Sequence, residues 1–455
     1  MFGSLKSRIL AVIFAGAVLI AIDGSTISPI LESIQKSFGV NESVITWIFN
    51  IEILFLMLGT PIMAKLSDRY GRKNIYVLNA VLFLLGTLTV AFSQSFEMLL
   101  IGRALQGIGA VLSVLAITII GDYFDETRGT ILGAFGVIIA LVYALGPAIS
   151  GTLVNYGWHL VFIINIPVAA AVVLLGYFLL PAGKVTEKYA SFDWKGMTFL
   201  GIAIASIAYF IFNLSGQFQP SVQCPVLIIF ILALISFWWV ERRVVEPIIP
   251  IGLLKRKDTL IASVVTLVGY LAMAGTYYLS TYAFMAFNLS YSSAAYMILP
   301  LTIASLITTP VVGKLLDKIG AKPIMVVGGA ITTLGMLILS YTSNLYVFGF
   351  SLVLIGIGNA SIVGNALYYI FLDETEKSER ASGQALLNIL LNTGSLFGGA
   401  ILASALDFST SGAASFRNVY FYLALVYILL TILSLGIKGR LVGGDNQQKE
   451  KPINL

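Results

Sequence analysis

The chain has 455 residues but a single cysteine, Cys224, and a single histidine, His159. One cysteine excludes an intramolecular disulfide, and one of each residue cannot build a His/Cys metal site. His159 reads as a loop residue and Cys224 as a packed side chain. The sequence contains no Walker A motif, no Gly-rich dinucleotide motif and no G-x-S-x-G, so neither ATP hydrolysis nor α/β-hydrolase chemistry has a basis in it. No enzymatic activity and no cofactor are expected. Charged residues make up only 11% of the chain, far too few to cover the surface of a soluble protein of this length.

Apolar residues take the place of the missing charge, at 58% of the chain. That composition is typical of a polytopic membrane protein, in which each helix needs about 20 mostly apolar residues to cross. Fourteen such runs are present: 8–31, 43–64, 74–93, 97–121, 129–153, 159–181, 195–213, 224–240, 259–285, 291–313, 323–342, 345–371, 382–406 and 417–437. The first lacks a small-residue cleavage site and reads as a retained span. The expected fold is therefore all-α, with fourteen spans.

A charged stretch repeats. Ala64-Lys-Leu-Ser-Asp-Arg-Tyr-Gly-Arg-Lys73 has a second copy, Gly313-Lys-Leu-Leu-Asp-Lys-Ile-Gly-Ala-Lys322, in which Asp68 and Gly71 align with Asp317 and Gly320. Both read as short turns after an apolar helix, so the chain is a duplicated bundle. Asp68 and Asp317 lie 249 positions apart, whereas six spans with short loops need only about 180 to 190. The surplus fits two spans inserted between the halves. The expected domains are 1–184 (six helices), 185–257 (the inserted pair with its linkers), 258–438 (six helices) and a polar, disordered tail at 439–455.

The net charge of +5 suggests a nucleic-acid partner only until the basic residues are placed. With the N-terminus in the cytoplasm, cytoplasmic segments carry 24 of the 27 Lys and Arg, and the outer loops only Lys36 and Arg417. The positive-inside rule thus puts both termini in the cytoplasm and leaves no role for nucleic acid. Arg103 remains, inside a span. Asp23 and Glu52 join it there, at estimated depths of about 12 Å (Asp23), 14 Å (Glu52) and 9 Å (Arg103) from the outer ends of their helices. Intramembrane charges need partners or water and are usually functional. If one acid pairs with Arg103, the other has no fixed cation and is free to carry a proton. The alternative is a static ion pair that holds the bundle together.

These motifs resemble the major facilitator superfamily, and within it the fourteen-span drug:proton antiporters. The charged repeat is similar to the superfamily's loop between spans two and three, G-x-L-x-D-x-x-G-R-K, with Ala64 in place of the first Gly and Ala321 in place of the second copy's Arg. Ile22-Asp-Gly-Ser-Thr-Ile-Ser-Pro-Ile-Leu31 resembles the antiporters' first-span motif, and Leu100-Ile-Gly-Arg-Ala-Leu-Gln-Gly-Ile-Gly-Ala110 their fourth-span motif, in which the Arg is linked to proton transfer. Gly146, Pro147 and Gly151 match the fifth-span antiporter motif, while Val142 and Ser150 replace two of its glycines. Glu52 is a departure, standing five residues after Trp47 where the family more often has Tyr.

The resemblance implies a proton-coupled exporter of lipophilic, cationic drugs or dyes, driven by the proton gradient, in the cytoplasmic membrane of a prokaryote. It implies Asp23 and Arg103 for proton coupling; Glu52, placed beside them by its depth in the span and not by the resemblance, is the third proton-coupling candidate and suits a preference for cationic substrates. Asp68, Arg69, Arg72, Lys73, Asp122, Asp317, Gly146, Pro147 and Gly151 would serve conformational change, with Arg72 pairing Asp122 and Asp68 near the start of the eleventh span at Ser382-Gly383. The second half lacks a mid-span charge and offers amides and aromatics. Trp47, Asn50, Tyr278, Tyr282, Phe284, Asn388 and Asn392 are the expected substrate-cavity residues, although Asn388 and Asn392 suit interhelical hydrogen bonds equally well. Expected partners are a small-molecule substrate, protons and membrane lipids, with the protein a monomer. The alternatives are a nutrient symporter or lipid flippase on the same fold, and a membrane sensor or scaffold, for which the short cytoplasmic loops leave no output domain.

Overall fold

The computed structural model describes residues 4–27, 30–40, 42–45, 47–182, 193–212, 220–244, 251–289, 294, 296–376, 379–405 and 413–438. They are helical almost throughout. In chain order the helices are α1 (Leu5–Thr26), α2 (Leu31–Phe38), α3 (Glu42–Ile45), α4 (Trp47–Tyr70), α5 (Arg72–Ala91), α6 (Phe96–Gly109), α7 (Leu112–Tyr123), α8 (Arg128–Leu153), α9 (His159–Ile163) and α10 (Asn165–Leu179). There follow α11 (Trp194–Phe212), α12 (Pro220–Glu241), α13 (Lys257–Met273), α14 (Leu279–Phe287), α15 (Leu299–Ile319), α16 (Ala321–Tyr341), α17 (Leu345–Asn359), α18 (Asn365–Glu374), α19 (Arg380–Ala405) and α20 (Ala413–Ser434). Eleven helices among the described residues, counting α6–α7, α9–α10, α13–α14 and α17–α18 each as one, are long and apolar enough to cross a membrane. The tail at 439–455, Ser28 and the linker at 185–192 lie outside the described residues.

Backbone contacts divide the chain into two compact units. One comprises Met1–Ile119, Val137–Ile251 and Lys377–Asn392; the other comprises Ile120–Gly136, Gly252–Glu376 and Thr393–Leu455. In the first unit α5 packs on α6 and α10, α6 on α4, and α1 on α10. In the second, α16 packs on α17 and α20, α15 on α17, and α13 on α20.

The charged repeat folds differently from its reading as a turn. Helix α4 runs on to Tyr70 and α15 to Ile319, so Ala64 to Tyr70 are helical and the break is confined to Gly71 and Gly320. Both glycines have positive φ, 92° and 78°, a conformation that costs a residue with a Cβ. Lys, Leu and Arg are good helix formers, and nothing in either stretch stops the helix before the glycine. Ala64, fully buried in α4, therefore alters no turn.

Helices α11 and α12 belong to the first unit and are only partly covered by other helices. Leu200, Ala203, Ile204, Ile207 and Ala208 form the buried stripe of α11, which packs on α4 and α12. Helix α12 leaves Ile228, Leu232, Ile235 and Trp239 more than half exposed. Cys224 is exposed too, contrary to its reading as a packed residue, because α12 has so few neighbours to cover it. Such apolar exposure suits hydrocarbon. Cysteines placed at Ile202 or Tyr209, in a chain with Cys224→Ser, are therefore expected to resist a water-soluble maleimide added from either side. Rapid labelling, blocked by a transported dye, would place α11 on the solute path instead.

Candidate functional site

The three intramembrane charges of the first unit come together. The guanidinium of Arg103, which has no exposed surface, donates from Nη1 to Asp23 Oδ2 at 2.8 Å and to Gln106 Oε1 at 2.7 Å. Its Nη2 donates to Glu52 Oε2, and its Nε to the Ile48 carbonyl at 3.3 Å. Gln106 Nε2 completes the circuit, donating to Asp23 Oδ1 at 3.0 Å and to the Thr87 hydroxyl at 3.1 Å. The expectation that one acid is left without a cation is thus corrected: the planar guanidinium fork has enough N–H groups to serve both carboxylates at once. Two carboxylates and one guanidinium still sum to −1, so the cluster has room for one more positive charge. Gln106 and Thr87 were missed in the sequence. The available signal was spacing, since Gln106 stands three residues after Arg103 and so shares its helix face.

The alternation of polar and small residues in α6 has a physical reason. A Cβ on Gly107 would strike the backbone of α4 at Glu52, with Leu56 N only 3.1 Å away. The missing side chain lets α4 approach closely enough for Glu52 to reach Arg103. On the opposite face of α6, Gly102 and Gly109 meet α5 in the same way, against Val90 and the Phe83 backbone. Gly146 of α8 is pressed against Ser25 of α1, two residues from Asp23. Ser150, the replacement for a motif glycine, donates back to the Gly146 carbonyl at 3.0 Å and is buried. Around Gly151 there is open space. Pro147 lies within α8, with its side chain outside the described residues.

The two aspartates of the repeat do the same work. Asp68 accepts from Ser382 N (3.3 Å) and Oγ (2.8 Å) in the first turn of α19, and from Arg72. Asp317 accepts from Gly129 N, Thr130 N and Thr130 Oγ1 at 2.7–2.8 Å in the first turn of α8. Each carboxylate meets otherwise unpaired N–H groups at the positive end of a helix. Beside the second cap, Arg128 pairs with Asp373 and stacks on Tyr369 at 4.1 Å; the sequence reading did not single out this group. Arg69 lies over Tyr70 and Lys73 over Tyr177. Asp122 is half-buried in the last turn of α7.

The expected cavity residues scatter. Trp47 and Asn50 are half-buried in the first two turns of α4. Asn392 donates to both the carbonyl and the side-chain oxygen of Asn388. Tyr278 donates to the Gly399 carbonyl at 3.2 Å, and Phe284 is half-buried. Tyr282 has no exposed surface; it stacks on Phe416 and contacts Phe348 and Tyr420. It presents nothing to a solute in this conformation.

Helices of membrane length around a buried ionic network define a polytopic membrane protein of the solute-transporter class. The chain belongs to the Major Facilitator Superfamily, whose family model matches residues 13–373 and 267–453; this is a family of transporters, not of enzymes. It is 29% identical over 393 residues to the uncharacterized MFS-type transporter YfiU of Bacillus subtilis, covering 83% of this chain and 76% of that one. It is 26% identical to the riboflavin transporter RibZ of Clostridioides difficile, covering 89% and 90%, and 29% identical to multidrug resistance protein 3 of B. subtilis, covering 71% and 64%. Among solved structures it is similar in fold to the human organic anion transporter MFSD10 (TM-score 0.71, 18% identity, 94% and 99% covered). It is also similar to the proton:xylose symporter XylE (TM-score 0.65, 16% identity, 95% of each chain covered).

Proposed function

We propose that the protein is a proton-coupled exporter of lipophilic, cationic drugs or dyes, working by alternating access in the cytoplasmic membrane of a prokaryote. The observation that carries this reading is the Asp23–Arg103–Glu52 cluster with its single excess negative charge. A proton and a cationic solute compete naturally for such a site. Either neutralises it, and occupation by one disfavours the other, which is the logic of exchange. The relatives that are multidrug-resistance proteins support the same reading. In this proposal the proton gradient is the only energy source and the protein works as a monomer with both termini in the cytoplasm. The fourteen spans are the eleven membrane-length helices together with α8, α11 and α19. The caps at Asp68 and Asp317, with Arg72 and Asp122, hold one conformational state.

The test is ethidium transport into proteoliposomes under an imposed pH gradient. Asp23→Asn is expected to abolish it while leaving folded protein, and Glu52→Gln to reduce cationic-dye transport at least several-fold more than neutral-dye transport. Normal transport by the Asp23→Asn variant would remove Asp23 from the coupling mechanism. A second reading, a vitamin transporter, is favoured by RibZ, which aligns over 90% of its own length. Riboflavin uptake with ethidium excluded would select it.

A further inference from the structure

The second unit contains a break in regular helix at membrane depth. Between α17 and α18 the chain forms a π-helix over Ala360–Gly364, and Gly364 leaves the helical region of backbone space altogether, at φ −92° and ψ −135°. The bulge begins 15 residues into a helical span of 30, Leu345–Glu374, so Asn365 just after it is about 14 Å from the span's end at 1.5 Å per residue. Irregular backbone at that depth is tolerated only where protein buries it or where it lines a polar cavity, and π-bulges are frequent at functional sites.

An amide flanks the bulge on each side, and the two differ. Asn359 is satisfied, its Oδ1 accepting from the Tyr427 hydroxyl at 2.8 Å. Asn365 is not: its Nδ2 is buried and meets no hydrogen-bond acceptor among the described residues. An unmet buried donor costs about 1–3 kcal/mol, so the position has a reason other than stability. Gly136 of α8 lies opposite it: a Cβ there would be 3.9 Å from Asn365 Oδ1 and 4.0 Å from Nδ2, and 2.9 Å from Thr309 Cγ2, so the neighbours of the amide on this side are a glycine and a methyl group, neither of which accepts a hydrogen bond. Tyr368, one helical turn further on and on the same face, interacts with Tyr270 of α13. Both rings are half-buried.

We propose that the bulge at Ala360–Gly364 creates a solute subsite within the second unit, in which Asn365 donates a hydrogen bond to an acceptor on a planar aromatic solute while Tyr368 and Tyr270 supply the ring surface beside it. This goes beyond the exporter reading and rests only on the chain being a solute transporter. It gives the second half, which has no mid-span charge, the task of reading a carbonyl or ring nitrogen, whereas the first half responds to charge. The solute class is therefore a planar ring system carrying an acceptor, and a positive charge is not required of it at this subsite.

The experiment uses the full chain in detergent at fixed pH with no gradient, so a failure of proton coupling cannot imitate its result. The probes are riboflavin, planar with ring carbonyls, and ethidium, planar and cationic with none. Asn365→Ala is expected to weaken riboflavin binding about tenfold, the size of one neutral hydrogen bond, and ethidium binding less than twofold. In a Cys224→Ser background, Asn365→Cys is expected to react with a small methanethiosulfonate, and riboflavin to slow the reaction while ethidium does not. The labelling readout stands even if Asn365→Ala folds poorly. No labelling of the cysteine, equal losses for the two probes, or a wild-type protein that riboflavin neither binds nor protects would each overturn the assignment.

Discussion

Replacing Arg103 with alanine is expected to remove most of the folded protein from the membrane. Asp23, Glu52 and Gln106 all spend hydrogen-bonding capacity on this one guanidinium, which has no exposed surface. Removing one partner of a buried ionic group costs about 3–5 kcal/mol, because the remaining charges are left without compensation. That is a large share of the roughly 5–15 kcal/mol that holds a typical domain together. The melting temperature in detergent should fall by more than 10 °C, or the protein should fail to accumulate. The triple variant Arg103→Met, Asp23→Asn, Glu52→Gln separates the causes. With no stranded charge it should fold near wild-type stability and still transport nothing. An Arg103→Ala variant as stable as wild type would show that water, not the guanidinium, satisfies the acids.

The second large effect is expected from Gly107→Val. The obstacle to a side chain there is the backbone of α4 at Glu52, which cannot rotate out of the way as a side chain could. Overpacking of this kind costs about 1–3 kcal/mol, and the helices must move apart for the chain to fold at all. The separation acts directly on the ion pair, because Gly107 and Arg103 lie one turn apart on α6 and the displaced residue is Glu52. Dye transport should therefore drop at least tenfold, with a smaller loss of melting temperature than for Arg103→Ala. Gly349→Ala in α17 is the control, since no atom lies within 4 Å of the added methyl; it should change neither quantity. Full transport by Gly107→Val would mean that Glu52 needs no close approach to Arg103.

The parts of the site that were legible in the sequence were those whose chemistry contradicts their surroundings. Asp23, Glu52 and Arg103 stand out because a charge within an apolar run is costly and rare. Gln106 does not, since a neutral amide within a span is common enough to pass unnoticed, and only the folded bundle shows it bridging Arg103, Asp23 and Thr87. The aromatics fared differently. Tyr278, Tyr282 and Phe284 have the same composition value to a sequence reader, yet Tyr282 is wholly enclosed by other rings. Whether an aromatic residue faces a cavity or a neighbour depends on helix rotation, and a helix apolar on every side carries no periodic signal to fix it.

The sequence by itself determined the all-helical membrane architecture, the repeat of the charged stretch and the place of the charges. Each of these follows from local quantities: length of apolar run, spacing of repeats, identity of single residues. Tertiary structure alone decided that both acids share one guanidinium, that Asp68 and Asp317 each cap a helix far along the chain, and that a π-bulge leaves Asn365 with a donor to spare. These depend on the distances at which helices pack, which are set by glycines meeting backbone on other helices. A contact between residues 80 positions apart, as between Asp23 and Arg103, exists only once that packing has formed.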